Sequence, residues 1–155
     1  MDLYEQELRE NLTNCFTLAI DGPVASGKTI VGINLANILG IQFLDTGLMY
    51  RAITFKALER GLGLDDEQKL VQLARESEIR MVRLGDGYGV FVNGEDLTGA
   101  LSDSSVEGSV STVSAVLGVR QILVKQQRLI AQGESIVMVG RDIGTTVLPD
   151  ADLKI

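Results

Sequence analysis

The chain has 155 residues, 45% hydrophobic and 23% charged, with a formal net charge of −7. That length suits one compact domain burying roughly two-thirds of its unfolded surface, and the acidic balance argues against non-specific nucleic-acid or membrane binding. One cysteine, Cys15, and no histidine exclude an internal disulfide and leave zinc without its usual ligands; no apolar run reaches the ~18–20 residues that span a bilayer.

Residues 1–14, "MDLYEQELRENLTN", are acidic and polar, the opposite of a secretory signal. They read as a short polar helix or a disordered arm, and a reducing cytoplasm is the simplest home for the chain. "CFTLAID" (15–21) is apolar without alternation, which predicts a strand buried on both faces. Residues 28–40 predict a helix ended by Gly40, residues 41–45 a second strand, and residues 47–61 an amphipathic helix closed by Gly61. Residues 65–77 carry acids first and Arg75 late, as a helix dipole favours. The stretch at about 79–99 then alternates apolar and polar residues around Gly-Asp-Gly and Asn93-Gly94, the pattern of a β-meander. Residues 103–133 return to helix, broken near "AVLGVRQ" into two. Residues 135–140 form a third buried strand, and 151–155 begin a fourth.

Three stretches carry chemistry. Between the first strand and its helix lies Gly22-x4-Gly27-Lys28-Thr29. Its glycines let several N–H groups turn inward onto phosphate oxygens, and the helix adds its positive end. Lys28 would reach the β- and γ-phosphates, with the Thr29 hydroxyl on Mg²⁺. "FLDTGLMYR" (43–51) ends a strand at Asp45, places Thr46 to cap the next helix, and sets Tyr50 and Arg51 one turn in. Arg51 can fork onto a phosphate there, or lie on the surface. In "VMVGRDIGTTVLPDADLKI" (137–155) an apolar strand runs into Gly140-Arg141-Asp142. Ligands of open α/β sheets bind beyond such strand ends, so Arg141 offers a cation and Asp142 a metal ligand or an acceptor for a base; a plain solvated turn is the alternative. Residues 108–133 lack acids but hold Arg120, Lys125 and Arg128. Arg120 and Arg128 sit roughly 80° apart around one helix, and charge alone leaves an anion site and a solvated face both open.

In these words the sequence resembles the bacterial cytidylate kinases, which phosphorylate CMP and dCMP. "IDGPVASGKT", "FLDTGLMYRA", "VNGEDLTG" and "GRDIGTTVLPDADLKI" stand in the family's order over nearly all of residues 16–155. The resemblance implies an α/β fold: a P-loop nucleoside monophosphate kinase-like parallel sheet with helices on both faces and a small β-meander insert. It implies a P-loop core at 15–62 and 134–155 and a monophosphate-binding insert at 63–133. Residues Gly22, Pro23, Val24, Ala25, Ser26, Gly27, Lys28, Thr29 and Ile30 would hold ATP phosphates. Thr46, Tyr50, Arg51 and Arg141 would surround the CMP phosphate, and Ser111, Arg120 and Asp142 would face cytosine. Lys28, Asp45 and Arg141 would serve transfer directly, with Asp45 near Mg²⁺ or its waters. A carboxylate at 142 accepts from the amino group of cytosine and opposes the carbonyl of uracil.

Two departures from the family pattern stand out. The family usually reads Gly-Lys-Gly-Thr/Ser where this chain reads Gly27-Lys28-Thr29-Ile30, so the hydroxyl sits one place earlier. The chain also stops inside an expected core strand, before the family's arginine-rich lid and final helices. A truncated, impaired fragment of a monomeric parent is therefore expected, with self-association through the strand edge at 151–155. Two other functions remain open: a P-loop kinase of another small substrate, such as shikimate or a sugar acid, and a non-catalytic nucleotide-binding module.

Overall fold

The computed structural model describes Leu3 and residues 15–155; apart from Leu3, the arm expected at 1–14 lies outside the described residues. The protein is a mixed α/β fold with a parallel sheet flanked by helices and a separate small antiparallel sheet. It divides into two compact units, one of residues up to Leu44 with Gln127–Ile155, the other Asp45–Gln126.

The first unit is built on strands β1 (Thr17–Asp21), β2 (Gln42–Asp45), β6 (Ile136–Gly140) and β7 (Leu153–Lys154), in the order β2-β6-β1-β7. β1 pairs in parallel with β6 from Thr17↔Ile136 to Asp21↔Gly140, and with β7 at Leu18↔Leu153 and Ala19↔Lys154. All five residues of β6 are buried, as are Leu18, Ala19 and Ile20 of β1, which explains why neither strand alternates. Helix α1 (Lys28–Leu39) lies on this sheet through Gly32 and Ala36 and ends at Gly40, whose N–H returns to the carbonyls of Ala36 and Asn37.

The second unit holds α2 (Thr46–Glu59), α3 (Glu67–Glu76), the meander β3 (Ile79–Leu84), β4 (Gly87–Val92) and β5 (Glu95–Asp96), then α4 (Ser104–Ser114). It also takes the first part of α5 (Leu117–Gly133). β3 and β4 pair antiparallel from Ile79↔Val92 to Leu84↔Gly87. The next turn is Asn93-Gly94, both with positive φ (50° and 83°), the hairpin geometry that Asn-Gly favours. Apolar residues on facing sides of these elements, among them Met49, Ile53, Leu70, Leu73, Val90, Val106 and Leu123, form its core.

The units part at 44/45 and 126/127, whereas the sequence expectation placed its boundaries at 62/63 and 133/134. The difference is largely α2. Helix α2, in which Met49, Ala52, Ile53 and Ala57 are buried, lies against α4 and α3 and belongs to the same unit as the meander.

Candidate functional site

The glycine-rich loop leaves β1 at Asp21 and enters α1 at Lys28. Gly27 is the N-cap of α1 with φ 84° and no side-chain cap, so the helix starts with N–H groups that no side chain of the cap satisfies. A residue with a Cβ would be strained at that φ. Ala25 is also left-handed, at φ 60°, a costly conformation of the kind concentrated in ligand-binding loops. Lys28 Nζ donates to the Pro23 carbonyl at 2.9 Å, which draws the ammonium across its own loop. Thr29 is half-buried, while Pro23, Val24, Ala25, Ser26, Gly27 and Ile30 are exposed. An open cavity of about 610 Å³ is lined by Asp21, Gly22, Pro23, Val24 and Arg141.

Arg141 reaches this cavity because β6 neighbours β1 in the sheet; the Gly22 N–H donates to the Gly140 carbonyl at 3.1 Å, binding the two strand ends together. Arg141 is exposed and, among the described residues, has no ion-pair partner. Asp142 is half-buried and precedes a single wide helical turn, Ile143–Val147; its carbonyl accepts from the N–H groups of Thr146 and Val147. Wide turns of this kind recur at functional sites.

Asp21, which the sequence reading passed over, holds this turn. Its Oδ1 accepts from Ile143 N–H at 2.7 Å and its Oδ2 from Gly144 N–H at 2.8 Å. The available signal was a lone carboxylate closing an otherwise apolar strand. Arg128 belongs here too: Nε donates to the Val147 carbonyl at 2.9 Å and Nη2 to that of Thr146 at 2.7 Å. Its guanidinium is thereby committed to the backbone and not presented as a free anion site.

The remaining expected residues lie in the second unit. Asp45, not Thr46, caps α2: its Oδ1 accepts from Gly47 N–H at 2.9 Å, and Thr46 becomes the first helical residue. Both side chains can cap, but Asp45 keeps the extended backbone of the strand (φ −100°, ψ 108°) that an N-cap needs. Asp45 and Thr46 are buried. Arg51 donates from Nη1 to the Leu101 carbonyl at 3.1 Å, with Nη2 3.9 Å from Glu107 Oε1. The Arg120 guanidinium stands 5.8 Å from the centre of the Tyr50 ring, a cation–π arrangement. The structure thus brings Tyr50 to Arg120 and Arg51 to α4. Ser111 is exposed on α4 one turn after Glu107, with no hydrogen bond to Arg51 or Arg120. Asp103 caps α4, and the Ser105 backbone N–H it accepts, followed by the Ser105 hydroxyl, holds its carboxyl below the usual range. Nothing in the sequence pattern singled out Glu107 or the Leu101 carbonyl as partners of Arg51.

A family model described as cytidylate kinase matches residues 18–155. The chain belongs to the cytidylate kinase family. Curated cytidylate kinases similar to it include that of Caldanaerobacter subterraneus subsp. tengcongensis, 49% identical over 137 residues, covering 88% of this chain and 59% of the relative. That of Geobacillus thermodenitrificans is 46% identical over 138 residues, 89% of this chain and 62% of the relative. That of Bacillus subtilis is 42% identical over 139 residues, 90% of this chain and 62% of the relative. The chain thus spans about three-fifths of the length of these cytidylate kinases. No helix among the described residues is long and apolar enough to cross a membrane.

Proposed function

We propose that this chain carries donor and acceptor contacts of an enzyme that transfers the γ-phosphoryl group of Mg-ATP to CMP or dCMP, giving ADP and CDP or dCDP. What supports this reading is the cavity that the glycine-rich loop shares with Arg141, a cation without an ion-pair partner among the described residues, at neighbouring strand ends. Membership in the cytidylate kinase family supports CMP or dCMP as the acceptor.

Among the described residues no three His, Cys, Asp or Glu side chains converge as a metal cage. Thr29, in the first turn of α1, offers a hydroxyl oxygen that suits Mg²⁺ carried in on phosphate oxygens and keeping several waters. Bound there, Mg²⁺ would neutralise charge on the β- and γ-phosphates. The chain's own groups position and neutralise. The N–H groups opening α1 receive phosphate oxygens, and Lys28 exchanges the Pro23 carbonyl for the donor phosphates. Thr46, Tyr50, Arg51 and Arg141 take the acceptor phosphate. The half-exposed ion pair of Arg51 with Glu107, at 3.9 Å, is weak enough for a phosphate to displace. Asp142 is assigned the cytosine amino group; Ser111 and Arg120, the latter steadied on Tyr50, are assigned to the same base. The acceptor is already an anion, so the transfer requires positioning and charge neutralisation more than a strong general base.

Calorimetric titration of the chain with CMP, dCMP, UMP and AMP tests the reading, alongside an ADP-release assay with Mg-ATP. Preferential binding of CMP and dCMP is expected. Equal affinity for UMP or AMP would overturn the acceptor assignment, and ATP binding with no phosphoryl transfer to any of the four would favour a non-catalytic module.

A further inference from the structure

We infer that Asp21 and Arg128 are positioning residues for Arg141 and Asp142, holding from its two ends the turn that follows them; this rests on the acceptor reading above. The turn Ile143–Val147 is one helical turn long. Such a turn begins with N–H groups and ends with carbonyls that it cannot satisfy itself. A carboxylate suits the first end and a guanidinium the second, and both are supplied from distant sequence. Asp21 takes the N–H groups of Ile143 and Gly144 at 2.7 and 2.8 Å. Arg128 gives to the carbonyls of Thr146 and Val147 at 2.7 and 2.9 Å. Ile143 and Val147 are buried, which anchors the turn between its clasps. A Cβ at Gly144 would stand 3.1 Å from Lys154 Cδ and 3.2 Å from Asp21 Oδ2, a tight fit that glycine relieves. Gly22 follows Asp21 directly, so one carboxylate fixes the start of the phosphate loop relative to the turn bearing Arg141.

The mechanism asks Arg141 and Asp142 to meet a phosphate and a base edge at hydrogen-bond distance, where a misplacement of ~1 Å is expensive. The role is therefore expected in acceptor binding rather than in stability alone.

The test is calorimetry of the 155-residue chain with CMP and, separately, Mg-ATP, on the parent, Arg128→Met and Arg128→Lys. Loss of charge-assisted bonds to the turn is expected to weaken CMP about tenfold in Arg128→Met. Arg128→Lys should recover part of this loss, and Mg-ATP affinity should change by less than about twofold. A folded Arg128→Met that binds CMP like the parent overturns the inference, and so does an equal loss for both ligands, which marks a merely structural role. A parent that binds Mg-ATP but not CMP defeats the acceptor reading instead. Amide hydrogen exchange in Asp21→Asn supplies a ligand-free readout: Ile143 and Gly144 should lose protection, and unchanged exchange at both overturns the clasp.

Discussion

Helix α1 carries the glycine-rich loop at its start, and its closeness to the sheet depends on Gly32. A Cβ at that position would stand 2.6 Å from Val139 Cγ1 and 2.8 Å from Phe43 Cε2. Ordinary carbon contacts are ~3.5–4.0 Å, so Gly32→Ala requires α1 to move off the sheet by about 1 Å or the buried Val139 and Phe43 to yield. Overpacking of this kind costs about 2–3 kcal/mol, and the better helix propensity of alanine returns about 1 kcal/mol. The net loss of about 1–2 kcal/mol lowers the melting temperature by about 2–8 °C in a chain of this size. Gly108 is the internal control: it lies in α4, is exposed, and an added Cβ meets nothing within 4 Å. There the same substitution gains about 1 kcal/mol and raises the melting temperature by about 2–4 °C. Thermal denaturation of both variants beside the parent checks the pair. A Gly32→Ala protein as stable as the parent would refute the packing argument, and a destabilised Gly108→Ala would refute the propensity argument.

Asp142→Asn exchanges an acceptor for a group that can also donate, so the ratio of CMP to UMP affinity should fall about tenfold or more; an unchanged ratio in calorimetry removes Asp142 from base recognition. Asp45→Ala removes the cap of α2 and should cost about 1 kcal/mol in urea unfolding, with Asp45→Ser keeping most of it. An unchanged midpoint would show that the cap contributes nothing. Lys56 donates to Glu59 at 2.8 Å and also to Glu95, and these bonds, that to Glu59 foremost, raise its pKa above the ordinary 10.5. A raised lysine stabilises fully below the unfolded value and loses that contribution as pH rises through the folded one. The difference in urea midpoint between the parent and Lys56→Met should therefore shrink only at strongly alkaline pH; a difference constant across that range contradicts the linkage.

Features set by near neighbours in sequence were legible before the structure. The unbroken apolar runs of β1 and β6 signalled strands covered on both faces, Asn93-Gly94 signalled a tight hairpin, and the glycines at 40 and 61 marked where helices stop. The left-handed turn at Gly27 was legible for the same reason, since it lies within one short glycine-rich stretch, Gly22-x4-Gly27-Lys28-Thr29. Contacts closed by the fold were not. Asp21 meets Ile143 across 122 residues, and no local pattern announces a carboxylate that serves a distant turn. Arg128 looked like the companion of Arg120 because helical spacing reports only direction around the axis, not what waits there; one guanidinium meets an aromatic ring, the other two carbonyls. The cap of α2 was misplaced by one residue because Asp45 and Thr46 are both competent caps, and only the backbone angles choose between them.

On the proposed reading, the bond from Lys28 to the Pro23 carbonyl bears on how tightly a triphosphate would be captured. A lysine free in solvent surrenders up to ~2 kcal/mol of rotamer entropy when it is fixed. Here much of that ordering is complete before any nucleotide arrives, because the side chain is already folded over the loop it serves. Capture would then be an exchange of one oxygen partner for another across a short distance, avoiding part of the ordering penalty that a mobile side chain would impose.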